Sequence, residues 1–113
     1  MPINEWSDSI FIAEMRDEPE FSDEMDALSQ QLSQLVGQVP DVVVSLSGVT
    51  HINSSNISQL LRLRKQLVEQ QARLRICAIN DAVWSVIITT GLDKVFEFTD
   101  DVSTSLTSLQ VGS

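Results

Sequence analysis

The sequence predicts an α/β fold: one layered domain over residues 1–113, with a four- to five-stranded mixed β-sheet and about four α-helices packed on it. Three observations predict it. Val42-Val43-Val44 and Leu74-Arg75-Ile76-Cys77-Ala78-Ile79 are short β-branched or apolar runs of the buried-strand type. Segments with apolar residues three and four apart alternate with them, which is helical spacing. Strands separated by helices join through βαβ crossovers, so the sheet is mostly parallel, and an N-terminal strand pair makes it mixed.

The elements follow in order. Ile3–Trp6 and Ile10–Met15 read as two short strands joined through Ser7-Asp8-Ser9. Arg16-Asp17-Glu18-Pro19-Glu20 is a polar connection, and Pro19 discourages strand continuation. Ser22 is the expected N-cap of the first helix, with Asp23 and Glu24 in its first turn, where carboxylates favour the positive helix end. Met25, Leu28, Leu32, Leu35 and Val36 form its apolar stripe, and Gly37 and Pro40 stop it. Asp41–Leu46 is a buried central strand. A polar turn leads to a helix over about residues 55–71, whose buried face is Ile57, Leu60, Leu61, Leu67 and Val68. After strand Leu74–Ile79, Asp81 caps a third helix carrying Val83, Val86 and Ile87 and ending at Gly91. Val95–Phe98 is the last strand, and Val102, Leu106 and Leu109 mark a terminal helix.

Composition narrows the function. The formal net charge of −9 repels nucleic acid and anionic lipid, which need clustered Lys and Arg. Arg62, Arg64, Lys65, Arg73 and Arg75 are the one basic cluster, read as a solvated face or a partner contact. No run is long and apolar enough for direct membrane insertion, and Glu5, Asp8, Glu14 and Asp17 stand where a leader would be basic and then apolar, so a cytoplasmic location is expected. Cys77 is the sole cysteine; it excludes an intrachain disulfide and reads as a buried, inert thiol. The acidic run Asp17, Glu18, Glu20, Asp23, Glu24, Asp26 lacks the spacing of a calcium loop and reads as a solvated face. Phosphate-cradling glycines are absent as well, so no metal or cofactor is expected.

The informative stretch is Leu46-Ser47-Gly48-Val49-Thr50-His51-Ile52-Asn53-Ser54-Ser55-Asn56-Ile57, at the carboxyl edge of the most hydrophobic strand, where open α/β sheets place their sites. Ser54 and Ser55 have two readings. One is helix capping, worth about 1 kcal/mol; the other is a functional hydroxyl pair. A Ser-His-Asp triad with His51 is a third possibility, but there is no nucleophile elbow and no glycine-rich oxyanion loop. Trp84 lies one residue off the Val83/Ile87 face of its helix, so it is expected near the surface, where Trp is enriched at interfaces.

The stretch resembles the signature of STAS domains, the family shared by anti-sigma factor antagonists and the tails of sulfate transporters. Its members read strand, D/N-L-S-x-V, turn, then D-S-S/T-G-L at a helix start; here these are Val44-Ser45-Leu46-Ser47-Gly48-Val49 and Ile52-Asn53-Ser54-Ser55-Asn56-Ile57. Downstream, Ala82-Val83-Trp84-Ser85-Val86-Ile87-Ile88-Thr89-Thr90-Gly91-Leu92-Asp93-Lys94-Val95-Phe96 looks like the family's P-x-V-x-x-x-L-x-x-x-G-L-x-x-V-F. The likeness covers about residues 41–110; before it, Arg16-Asp17-Glu18-Pro19 stands where the family has G-x-L-D.

The resemblance implies a regulatory protein in a partner-switching circuit that binds an anti-sigma factor/serine kinase and is no enzyme. It implies phosphorylation of the second hydroxyl, Ser55, with Ser54 the lesser candidate, and a partner surface of Asn53, Ser54, Ser55, Asn56 and Ile57, to which Trp84 is added for its exposure. The alternative is a non-phosphorylated STAS subunit or scaffold of a larger complex, such as a lipid-transporting ABC ATPase. Asn53 replaces the family's acid and Asn56 its glycine. These departures predict that the fold and partner surface persist while phosphorylation is slowed or lost, Asn56 setting a side chain where a kinase approaches.

Overall fold

The computed structural model describes residues 3–7, 9–35, 37 and 39–110. Its strands are β1 (Ile3–Ser7), β2 (Ile10–Arg16), β3 (Asp41–Gly48), β4 (Leu74–Cys77) and β5 (Glu97–Thr99). Its helices are α1 (Glu20–Ser33), α2 (Ser54–Glu69), α3 (Asp81–Thr89) and α4 (Val102–Gln110), with a 3-10 turn at Leu92–Lys94. The sheet order is β1-β2-β3-β4-β5. β2 to β5 run parallel and β1 pairs antiparallel with β2, so the sheet is mixed only at that edge.

Strand alternation sorts the core into two faces. Phe11, Ala13, Met15, Val42, Val44, Leu46, Leu74 and Ile76 face α1, α2 and α3 in the main cluster. Ile10, Ile12, Val43 and Cys77 form a smaller cluster on the other face, closed by Leu109 of α4. Cys77 is fully buried, and burial pushes its thiol pKa up, as expected of an inert cysteine.

Several local expectations are corrected. α1 begins at Glu20 after Pro19, and Ser22 lies within its first turn instead of capping it. The capping role passes to the Glu18 carboxylate, which accepts from Ser22 N–H at 2.8 Å and from its hydroxyl at 2.7 Å. α1 ends at Ser33, before Gly37, which leaves Leu35 exposed; Val36 lies outside the described residues. On α2, Leu61 and Val68 are exposed, and the buried stripe is Asn56, Gln59, Leu60, Leu63 and Leu67. The true face contains two polar residues, so counting apolar side chains rotated the predicted stripe toward the flank. The cap of α3 is Asn80, accepting from Val83 N–H at 2.8 Å, with Asp81 in the first turn. β4 stops at Cys77, and β5 starts later than expected, at Glu97.

Two glycines matter. Gly91 has φ of 76°, a left-handed value that an L side chain rarely adopts, and it turns the chain out of α3. At Gly48 a Cβ would stand 2.9 Å from the Met15 carbonyl oxygen, so the ends of β2 and β3 can close together only with glycine there.

Candidate functional site

β3 ends at Gly48, and the turn over residues 49–53 delivers the chain to α2 at the carboxyl edge of the sheet. Val49 is buried, its N–H bonded to the Leu46 carbonyl at 3.0 Å and its own carbonyl taking Asn80 Nδ2–H at 3.0 Å. The turn is therefore tied to the start of α3.

Capping of α2 falls to the asparagines. Asn53 Oδ1 accepts from Asn56 N–H at 2.8 Å, and Asn56 Oδ1 accepts from Asn53 N–H at 3.1 Å, a reciprocal capping box. Asn56 is only 2% exposed and also donates from Nδ2 to Glu18 Oε2 at 3.2 Å. Its side chain points inward, which overturns the expectation that it obstructs an approaching protein. Ser54 and Ser55 are exposed and make no side-chain hydrogen bond among the described residues, so the capping reading of the serine pair is not what the structure has. Ile57 is half-buried against the main core.

Two carboxylates complete the site. Asp17 accepts from Thr50 N–H at 2.8 Å, from Thr50 Oγ1–H at 2.6 Å and from His51 N–H at 3.3 Å. The Thr50 hydroxyl bond holds the Asp17 pKa below the usual carboxylate value, with the backbone bonds adding to it. The Ser22 hydroxyl, then Ser22 N–H and Asn56, does the same for Glu18. Because the Thr50 hydroxyl donates to Asp17, its oxygen is left to accept from His51 Nδ1–H at 2.8 Å. No hydrogen bond joins His51 to Ser54 or Ser55 among the described residues, so the first link of a triad is missing.

Asp17, Glu18, Thr50, His51, Ile52, Asn53 and Asn56 thus line one open recess. Trp84 lies elsewhere, 36% exposed, in a separate hollow with Ile79, Phe98, Thr99 and Asp100. Its ring meets Phe98 edge-on, with centroids 5.2 Å apart at 83°. Sequence reasoning missed Asp17, Glu18, Thr50 and Asn80. The available signal was position, since Asp17 and Glu18 follow β2 at the same carboxyl edge as the serines. The acidic run is not uniformly solvated either: Glu24 is 7% exposed, and the basic cluster is in part structural, with Arg73 paired to Asp41 at 2.9 Å.

A family model described as STAS domain matches residues 14–105. Solved structures agree at the level of fold. A Thermotoga maritima protein described as a candidate anti-sigma factor antagonist superposes with a TM-score of 0.82 at 15% identity, covering 96% of this chain and 93% of that one. An anti-sigma-factor antagonist (STAS) domain protein from Planctomyces limnophilus gives 0.77 at 19%, covering 89% and 91%. A chain from the stressosome, described as a signal integration and transduction hub, gives 0.75 at 16%, covering 96% of each. No curated protein matches. Among the described residues no helix is long and apolar enough to cross a membrane.

Proposed function

The chain belongs to the STAS domain family, and on that premise we propose that it is a cytoplasmic regulatory module that binds a protein partner of the anti-sigma factor/serine kinase type, switched by phosphorylation of Ser55. The observation that carries this reading is the division of labour at the start of α2. Asn53 and Asn56 hold the helix end, and Ser54 and Ser55 stand exposed with no side-chain hydrogen bond among the described residues. Family neighbours described as anti-sigma factor antagonists support the partner class.

A phosphate on Ser55 adds about −1.5 to −2 charges. At a helix N-terminus it gains about 0.3–1 kcal/mol from the backbone N–H groups, so switching needs no unfolding of α2. Asp17 and Glu18, ionised at neutral pH, already make the recess anionic. The new charge acts on the docked partner by desolvation and repulsion, within the roughly 8 Å reach of unscreened charge. Trp84 and Ile88, exposed on α3, extend the docking surface beyond the recess.

The test is affinity capture from the native cells, followed by binding measurements on the captured ATPase. Ser55→Asp weakens binding tenfold or more, Ser55→Ala leaves it intact, and Trp84→Ala weakens it with the fold retained. Equal binding by Ser55→Asp and the parent chain ends the switch reading. One observation favours a second reading, a STAS subunit or scaffold without phosphorylation: Asn53 stands where the family has an acid beside the acceptor. Capture of a transporter-type ATPase in place of a kinase would establish that alternative.

A further inference from the structure

We infer that α4 is a reversible latch over the second face of the sheet, opening as a unit while the other three helices stay packed. The two apolar clusters share only the sheet between them. The main cluster draws on α1, α2 and α3, whereas the second consists of Ile10, Ile12, Val43 and Cys77 beneath Leu109, with Val102 and Leu106 half-buried beside it. Among the described residues every helical side chain of that second cluster comes from α4, so its loss leaves the larger core untouched. Local opening of this kind starts where buried apolar contacts are fewest.

The latch is built from weak, easily hydrated contacts. Five of the nine residues of α4, Val-Ser-Thr-Ser-Leu-Thr-Ser-Leu-Gln, carry hydroxyls. Two of these bond within the helix, Thr107 to the Ser103 carbonyl at 3.1 Å and Ser108 to the Ser105 carbonyl at 2.9 Å. Such bonds compete with the helical ladder instead of fastening it to the sheet. The sheet beneath is partly polar as well: Ser45 bonds Ser47 at 3.3 Å, and Thr99 bonds the fully buried Ser105. When α4 lifts, these hydroxyls find water, so opening exposes less apolar surface than the size of the face suggests.

Two arginines of the basic cluster act as the clasp. Arg73 Nη2–H donates to the Leu109 carbonyl at 2.9 Å, and Arg75 Nε–H donates to the Ser108 hydroxyl at 3.1 Å. At the other end, Asp101 caps the helix through Thr104 N–H at 2.7 Å. Opening uncovers the Ile10–Ile12–Val43 strip and the Cys77 thiol, and since Cys77 is the sole cysteine no other thiol contributes to the labelling signal.

The experiment is labelling of Cys77 in the native chain by a water-soluble aromatic disulfide, across low urea concentrations. Labelling through the latch is nearly independent of urea, because local opening exposes little surface. Leu109→Ala speeds it about thirtyfold or more, the low end of what deleting a buried leucine side chain does to an opening equilibrium. Leu28→Ala, an equally buried leucine of the main cluster, changes it by less than about threefold. The inference fails if wild-type labelling rises with urea as steeply as global unfolding does. It fails equally if Leu28→Ala accelerates labelling as much as Leu109→Ala. The wild-type urea dependence decides the matter even if Leu109→Ala does not fold.

Discussion

Asn56→Ala separates the structural role of the α2 start from its functional role. The substitution removes the acceptor for Asn53 N–H and the donor to Glu18 while leaving the helix in place. Asn53 keeps its own bond to the residue-56 N–H, so the capping loss is the single bond to Asn53 N–H, worth about 1 kcal/mol. Emptying a site only 2% exposed adds up to about another kcal/mol. The expected loss is therefore about 1–2 kcal/mol, with nothing counted for the solvent-exposed Glu18. With a urea m-value of about 1–3 kcal/mol/M, the unfolding midpoint falls by roughly 1 M. Ser54→Ala and Ser55→Ala break no hydrogen bond and stay within about 0.5 kcal/mol of the parent. The assay is urea unfolding followed by far-UV circular dichroism on all three variants. A loss of 1 kcal/mol or more in Ser55→Ala, with Asn56→Ala near neutral, would refute the assignment of capping to the asparagines.

Other outcomes follow from the same geometry. On α2, Leu63→Ala and Leu67→Ala each cost about 2–5 kcal/mol while Leu61→Ala and Val68→Ala cost less than about 1; thermal or urea unfolding reads the difference. Asp17→Asn lowers stability at neutral pH. The folded pKa of Asp17 lies below its ordinary 3.8, so its contribution is full above that value and fades as pH falls through the lowered one; the gap between variant and parent closes at strongly acid pH. Glu24 has the opposite sign. Burial raises its pKa, with the Arg16 guanidinium 3.7 Å away opposing the rise, and Oε2 has no hydrogen-bond partner among the described residues. Its favourable contribution is present below the ordinary 4.5 and is lost as pH rises through the raised value. Glu24→Gln is thus more stable than the parent at pH 7, an advantage that vanishes in acid, measured as unfolding free energy against pH.

The order of elements was legible because β-branched runs and 3.6-residue stripes report burial directly, as Val42–Val44 and Met25-Leu28-Leu32 do. Boundaries were not, because they depend on side chains acting at a distance. Ser22 looked like a cap until Glu18 was seen bonding it from outside the helix. The α2 register was misjudged because Asn56 and Gln59 are buried polar residues, and the hydrogen bonds that make their burial tolerable, to Glu18 and to Ser22 across 38 and 37 positions, leave no local pattern. The site serines were found by motif, whereas Asp17 and Thr50 meet across 33 positions through the sheet. No spacing rule connects such residues; only the parallel pairing of β2 with β3 brings them together.

The most direct test of the regulatory reading is intact-mass analysis with peptide mapping, on the chain captured from its native cells before and after incubation with its ATPase partner. The account predicts a mass increase of one phosphate, confined to Ser55 and absent from Ser55→Ala. A chain that stays unmodified in the presence of an active partner kinase, or carries its phosphate on any residue other than Ser55, contradicts it.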